Sequence, residues 1–247
     1  MWPFNKTYSL VDSGIFRGFT DWHSHILPGV DDGVQTMEEA LEILALYEKL
    51  EVKAVWFTPH VMEDIPNTTA HLKERFEELK VLYKGTIHLH LAAEYMLDNL
   101  FRKRLNDDDL LPLGEKGNCL LVETSYYNPP INMYGLLERI KAKGFYPVLA
   151  HPERYMYMND EDYIKLKETG IWFQANLFSF VGAYGREIRK NAKKLLKNEY
   201  YNLVGTDIHS NNLYSKITHI RSLSTYIFRQ NLSVWGGKRV NRNIPKK

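Results

Sequence analysis

The feature that most narrows the fold is a rhythm. Seven short apolar runs, at 19–25, 52–58, 86–93, 118–122, 146–150, 171–175 and 202–206, alternate with stretches of helical spacing. Short apolar strands separated by helices belong to parallel sheets, because crossover helices cover both sheet faces. The helical stretches carry their own punctuation. Thr36-Met37-Glu38-Glu39 is a capping-box pattern, and Ala40, Ile43, Leu44 and Tyr47 follow at helical spacing. Further helices are expected over 69–84, 133–143 (stopped by Gly144), 161–168 (stopped by Gly170), 185–199 and 215–228, with a short helix plus a loop over 98–109. The pattern is that of an α/β protein.

Six of the seven runs end in a titratable residue: His25, His60, Glu94, Glu123, His151, and Asp207 with His209. The sixth run ends near Asn176. In a β/α barrel the functional groups sit at the carboxyl ends of the strands, where the loops converge on one mouth. Parallel strands closed in a ring would bring these endings together. Two pairs share a spacing, His23-x-His25 and Asp207-x-His209, and residues i and i+2 of a strand point to one side. These pairs lie on the first and last runs, which become neighbours when a barrel closes. A Gly/Pro-rich loop after the first run adds two carboxylates, Asp31 and Asp32.

The candidate ligands are therefore His23, His25, Asp31 or Asp32, His60, Glu94, Glu123, His151, Asp207 and His209. Taken singly, each is an ordinary strand-end polar residue. Together they outnumber what one ion takes, and two or three ions bridged by a carboxylate would use them. Imidazole and carboxylate without thiolate suit manganese, iron or zinc. His71 and His219 read as surface residues. His88 and His90 share Glu94's face if their strand stays regular, and read as structural.

Composition sets the remaining bounds. The chain has 247 residues with no repeat, low-complexity segment or linker, which is the size of one large domain. An apolar fraction of 44% fills an ordinary core. A net charge of +2 does not call for nucleic acid and leaves a phosphate pocket open. The single cysteine, Cys119, excludes a disulfide framework and a cysteine zinc site and fits a reducing compartment. Cys119 also lies in a strand with no arginine loop behind it, which argues against a cysteine phosphatase. No leader pattern and no run near the roughly 20 apolar residues of a membrane span are present. The expectation is a cytoplasmic protein without membrane insertion. Residues 1–18 read as an extension, 19–230 as the domain, and 231–247 as a basic tail, either solvated or docking an acidic segment.

At this point the motifs resemble a known family. His-x-His, Thr58-Pro59-His60, a mid-chain Glu, Ala150-His151-Pro152-Glu153-Arg154 and a late Asp-x-His resemble the polymerase and histidinol phosphatase (PHP) superfamily. The 23–33 segment (HSHILPGVDDG) and His151-Pro152-Glu153-Arg154-Tyr155 are similar to its branch of bacterial manganese-dependent tyrosine-protein phosphatases of capsule and exopolysaccharide synthesis. The resemblance covers about residues 19–215.

It implies a distorted (β/α)7 TIM-like barrel, a single domain, with three manganese ions, iron or zinc being the alternatives. One ion would take His23, His25, Glu94 and Asp207. A second would take Glu94, Glu123 and His151, and a third Asp32, His60 and His209. The family pattern favours Asp32 over Asp31. His151, Asp207 and His209 would then serve catalysis as well as metal binding. The reaction implied is hydrolysis of phosphotyrosine by metal-activated hydroxide, on a partner such as the tail of a tyrosine kinase of polysaccharide export. Arg154 is placed to grip phosphoryl oxygens, the alternative being a salt bridge with Glu153. The family often has a further arginine after the late Asp-x-His; here 210–215 has none. Tyr126, Tyr127, Tyr155 and Tyr157 can wall the pocket. Three rivals remain: a small-molecule phosphatase such as a histidinol phosphatase, a nuclease or proofreading module, and an inactive barrel that only binds.

Overall fold

The computed structural model describes residues 7–210 and 223–224. Its strands are β1 (Thr7–Tyr8), β2 (Thr20–Ser24), β3 (Ala54–Phe57), β4 (His60–Val61), β5 (His88–Leu91), β6 (Glu94–Met96), β7 (Cys119–Glu123), β8 (Tyr146–Ala150), β9 (Trp172–Asn176), β10 (Leu203–Gly205) and β11 (Leu223–Ser224). The helices are α1 (Met37–Lys49), α2 (Thr69–Leu82), α3 (Asn99–Asp107), α4 (Met133–Ala142), α5 (Asp160–Glu168), α6 (Leu177–Val181) and α7 (Arg186–Lys197). A 3-10 turn covers Pro152–Arg154.

Local chemistry starts these helices where the sequence indicates. Thr36 Oγ1 accepts from Glu39 N at 3.2 Å to open α1, whose buried face is Ala40, Ile43, Leu44 and Tyr47. Asp98 caps α3 through Phe101 N, and Asn159 with Asp162 forms a reciprocal capping box at α5.

The strands form two parallel sheets rather than one continuous ladder. One has the order β10-β9-β8-β7-β6-β4 and the other β2-β3-β5. The expected second and third strands appear as β3 and β5, and short strands β4 and β6 resume just beyond their expected ends. Pro59 lies between β3 and β4 and has no N–H to give the ladder. The ladder still runs on across the break: Ala92 N donates to Phe57 O at 2.8 Å at the end of β5 and β3, and Glu94 N, opening β6 of the other sheet, donates to Pro59 O at 3.1 Å. On the far side, His25 N donates to Ile208 O at 2.9 Å and Asp207 N to His23 O at 2.8 Å.

Residues 7–8 pair antiparallel with 223–224, so part of the N-terminal extension has a partner strand. The helix expected over 215–228 lies mostly outside the described residues; the two that are described, Leu223–Ser224, are strand instead. The basic tail and His219 also fall outside.

The core has two parts. Outward strand residues such as Val55, Phe57, Leu120, Val122, Leu149, Phe173 and Val204 pack on the helices. The opposite strand faces hold Trp56, Ala92, Leu121, Val148, Ala150 and Leu203, with Trp22, Tyr146 and Trp172 against them. Trp22 stacks on Trp56 with ring centroids 5.7 Å apart, and His90 stacks on Trp56 at 4.5 Å. Alternation carries these inner faces from apolar base to polar rim, as in Leu121 then Glu123, and Trp172 then Gln174 and Asn176.

Candidate metal centre

At that rim the separated strand ends meet. Glu94 is the hub. Its Oε2 lies 3.1 Å from His23 Nε2, 3.3 Å from His25 Nε2 and 3.2 Å from His60 Nδ1, and its Oε1 lies 3.1 Å from His151 Nε2. Asp207 Oδ1 stands 3.5 Å from His23 Nε2 and 3.3 Å from His25 Nε2. Glu123 Oε1 is 2.9 Å from His60 Nδ1. Asp32 Oδ1 is 3.5 Å from His60 Nε2 and 3.6 Å from His209 Nε2. All nine candidates that the family pattern selects thus come together.

Local backbone features aim them. The meeting of His23 and His25 does not come from a regular strand, as their spacing suggests. The β2 register shifts between Asp21 and Ser24, and the strand ends before His25. Asp21 consequently faces α1, where its carboxylate accepts from Tyr47 OH (2.7 Å) and from Thr206 Oγ1 (2.6 Å) and N (2.8 Å). That buried knot ties the first strand to the last. Gly205 leaves room for His23, since a Cβ there would lie 2.3 Å from the His23 Cβ. His151 and Asp207 have φ of 31° and 54°, left-handed values uncommon for residues other than glycine. Each turns the chain sharply at a strand end.

The donor set fits divalent ions. Atoms about 2.0–2.2 Å from one ion stand roughly 3.0–3.5 Å from each other, which is the spacing around Glu94 and Asp207. Four groups of side chains converge closely enough to hold an ion: His25, Asp32, His60 and His209; His23, His25 and Asp207; His23, Glu94 and His151; His60, Glu94 and Glu123. The resemblance joins Glu123 to Glu94 and His151; the observed spacing also brings His60 to both carboxylates. His60 Nδ1, Glu123 Oε1 and His151 Nδ1 are buried without a hydrogen-bond partner. His60 Nδ1 and Glu123 Oε1 are close but not aligned as donor and acceptor, as two ligands of one cation would be.

The electrostatics agree. Burial disfavours the charged form of His23, but Glu94 and Asp207 outweigh it and raise the ring to about 9. His25 is likewise raised against burial, chiefly by Asp31. Glu94 and Asp207, which burial alone would raise, are held well below the carboxylate range by the imidazoles, His23 foremost. Protons and cations compete for these imidazole nitrogens. Among the described residues the cluster opens toward Asp32 and His209: the side chains of His23, His25 and Glu94 are 0% exposed, whereas His209 is 33% and Asp32 65% exposed.

Around the ligands stand residues that the strand-end pattern missed. Gln174 Oε1 accepts from His23 Nδ1 at 2.8 Å. Asn176 Nδ2 donates to Asp207 Oδ2 at 2.8 Å, and Tyr184 OH lies 3.1 Å from the same amide nitrogen. Asp31 accepts from His25 Nδ1. The signal for Gln174 and Asn176 was a polar pair at i, i+2 in an apolar strand. Hydrogen-bond partners of this kind, on the far side of a ligating group, fix ring orientation and raise ligand basicity.

Arg154 does not pair with Glu153. Its Nη1 donates to Asp207 Oδ2 at 2.7 Å, and its guanidinium lies 4.4 Å from the Tyr126 ring centroid and 4.3 Å from that of Tyr184. Glu153 is buried and accepts from Asn176 N (2.9 Å) and Tyr201 OH (3.0 Å). Of the four tyrosines read as pocket walls, Tyr126 contacts both His151 and Arg154. Tyr155 is buried under the same histidine, Tyr157 OH bonds Thr124 Oγ1 at 2.7 Å, and Tyr127 is 70% exposed. Burial pushes the Cys119 thiol up to about 11, which removes it as a nucleophile.

Comparison with known proteins agrees with this geometry. The chain matches the family described as "Capsular polysaccharide synthesis, CpsB/CapC" over residues 19–231. It is 26% identical over 196 residues to the tyrosine-protein phosphatase YwqE of Bacillus subtilis, covering 77% of each chain. It is 26% identical over 209 residues to the tyrosine-protein phosphatase CpsB of Streptococcus pneumoniae, covering 77% of this chain and 82% of that one. Among solved structures it is similar to those of YwqE and CpsB, which are described as "unique metal-dependent tyrosine phosphatases". The TM-score is 0.73 at 22% identity, over 88% of this chain and 94% of the other. At that identity the likeness speaks for the fold.

Proposed function

The chain belongs to the CpsB/CapC family of capsular polysaccharide synthesis, and from that premise we propose that it is a metal-dependent protein-tyrosine phosphatase. The observation that carries this reading is the convergence of five imidazoles and four carboxylates around Glu94, open to solvent at Asp32 and His209. Its relatives YwqE and CpsB bear the tyrosine-phosphatase name.

The ligands we assign are His23, His25, Asp32, His60, Glu94, Glu123, His151, Asp207 and His209. Manganese is the proposed metal, in three sites. Bound there, divalent ions would supply hydroxide near neutral pH and offset the charge of a phosphoryl group. The residues do the rest. Glu94 holds His23, His25, His60 and His151 around one carboxylate. Arg154, fixed between Tyr126 and Tyr184, presents a charged fork that can pair with phosphoryl oxygens. Tyr126 supplies an aromatic wall beside His151. A departing tyrosinate, with a phenol pKa near 10, needs less acid assistance than an alkoxide.

We also propose that 19–230 is one seven-stranded, distorted barrel, a reading supported by the backbone bonds joining the two sheets on both sides. A cytoplasmic tyrosine kinase of polysaccharide export is the proposed substrate. Among the described residues, no helix is long and apolar enough to cross a membrane.

The test is to strip the protein of metal, restore manganese, and assay a phosphotyrosyl peptide beside histidinol phosphate. Manganese-dependent release of phosphate from the peptide is expected. No metal-dependent release from either substrate would falsify the enzyme reading, and preference for histidinol phosphate would move it to a small-molecule phosphatase.

A further inference from the structure

The loop after β2 carries two adjacent carboxylates with opposite surroundings. Asp32 is 65% exposed and faces His60 and His209. The Asp31 side chain is 0% exposed and turned the other way. Its Oδ2 accepts from His25 Nδ1 at 2.8 Å and from His60 N at 3.0 Å, and its Oδ1 accepts from Gly33 N at 3.0 Å. Both oxygens are therefore engaged by N–H donors. Asp31 belongs to none of the convergent groups among the described residues.

The loop that presents it is closed on itself. Val34 N donates to His25 O at 2.9 Å and Gly29 N to Val34 O at 2.8 Å. Gln35 Nε2 donates to Asp31 O at 2.9 Å and to Gly33 O at 2.7 Å. At Gly33 an added Cβ would lie 2.2 Å from His25 O, so the return of the loop requires glycine. Asn67 Nδ2 also donates to Val30 O at 2.8 Å and to His60 O at 2.9 Å, tying the loop to β4.

From this geometry we propose that Asp31 is the positioning residue of His25. Its buried carboxylate keeps the His25 proton on Nδ1, directs His25 Nε2 at the ions, and joins the loop to the strand end at His60. Asp32 is left free to be a ligand. The inference rests on the metal-centre reading above. His25 lies in two of the convergent groups, so one ring orientation serves both. The position requires aspartate because all three partners donate. Asparagine has one acceptor oxygen, so its NH2 must face either Gly33 N–H or the pair formed by His25 Nδ1–H and His60 N–H. Loss of such a partner costs metal affinity about 10–100-fold in comparable sites.

The experiment compares Asp31→Asn with Asp32→Asn by calorimetric titration of metal-free protein, with ion counting at saturation. Asp31→Asn is expected to bind the wild-type number of ions with roughly 10–100-fold weaker affinity, whereas Asp32→Asn is expected to bind one ion fewer. A purely structural role would lower the melting temperature and leave affinity alone. Nitrogen-15 NMR of the zinc-loaded wild type adds a reading that no variant needs: the His25 proton is expected on Nδ1. The proposal is overturned by an Asp31→Asn affinity within twofold of wild type. It is equally overturned by loss of an ion at saturation in that variant, which would make Asp31 a ligand, or by a His25 proton on Nε2. Should Asp31→Asn not fold, the NMR result decides alone. A wild-type chain that takes up no ion overturns the metal-centre reading itself, and this inference with it.

Discussion

Arg154 and Asp207 meet directly: Arg154 Nη1 donates to Asp207 Oδ2 at 2.7 Å, while Asp207 Oδ1 faces His23 and His25 at 3.5 and 3.3 Å. One carboxylate thus links the proposed phosphate-gripping residue to the proposed metal site. Arg154→Ala should therefore affect both. Loss of a charge-assisted bond to phosphate should lower kcat/KM for a phosphotyrosyl peptide roughly 10–100-fold. Metal affinity should fall by less than about tenfold, because Asn176 still holds Asp207 Oδ2. Steady-state kinetics at saturating manganese, set beside metal titration, separate the two effects. An unchanged kcat/KM would remove Arg154 from the reaction.

Asp32→Asn should leave the fold intact, since the side chain is 65% exposed and its ion-pair neighbours among the described residues are His60 and His209. The expected outcome is one fewer ion at saturation, a melting temperature of the metal-free variant within about 1 °C of metal-free wild type, as for an ordinary surface substitution, and loss of most phosphatase activity.

Removing metal should soften the whole domain. Glu94, Glu123 and Asp207 are buried carboxylates whose neighbours are chiefly imidazoles. An ion present at about 100 times its dissociation constant stabilises by about 2.7 kcal/mol. In a chain of this size that is roughly 5–10 °C of melting temperature per site. Calorimetry with a chelator, then with manganese restored, should show that drop and its recovery. A melting temperature indifferent to both treatments would count against a metal centre joined to the core.

How much of this was legible beforehand can be judged residue by residue. The strand ends were visible because short apolar runs and their charged terminators are local in sequence. Thr36 announced its helix because capping chemistry is also local, whereas the caps at Asp98 and Asn159 were not singled out beforehand. The break at Ala92–Ala93 was harder to see, because apolar composition continues through it. The short helix Leu177–Val181 was missed: five buried residues are too few for a helical period to show. Gln174, Asn176 and Tyr184 were not selected as site residues, since their roles depend on partners up to 151 positions away, as for Gln174 with His23; Asp31 was a candidate ligand, and the structure turns it to His25 Nδ1 instead. The Asp207 partner of Arg154 was not foreseen for the same reason, and the alternative pairing with Glu153 is not the one seen. Glu153 is next in sequence, but Asp207 is next in space.

Gly205→Ala tests the fit between the last strand and the first. The added methyl would lie 2.3 Å from His23 Cβ and 2.6 Å from His23 N, which are not flexible atoms. Overpacking of this kind typically costs 1–3 kcal/mol. The variant should melt lower by several degrees and bind manganese more weakly, because His23 must shift. Wild-type behaviour in both assays would contradict the close approach.

Lys167 offers a pH dependence remote from the site. Burial lowers its ammonium to about 8, although Nζ donates to Ile171 O (3.1 Å) and Asn202 Oδ1 (2.8 Å). In the unfolded chain the group titrates near 10.4. Between those values the unfolded state binds more protons, so stability should rise with pH. The penalty is full below about pH 8 and relieved toward pH 10. Relative to Lys167→Met, wild type should gain on the order of 2 kcal/mol across that window. Denaturant melts at pH 7.5 and 10 measure the difference, and a flat difference would show that the two hydrogen bonds offset the burial.

The stacked pair of Trp22 and Trp56 also gives the molecule a built-in optical gauge. Trp22 is joined by a single peptide bond to His23, and Trp56 lies on β3, four residues before His60. A paramagnetic ion seated on those histidines would dim the emission of nearby indoles. Filling of the rim can then be followed in unlabelled protein, in real time, from the light of its own floor.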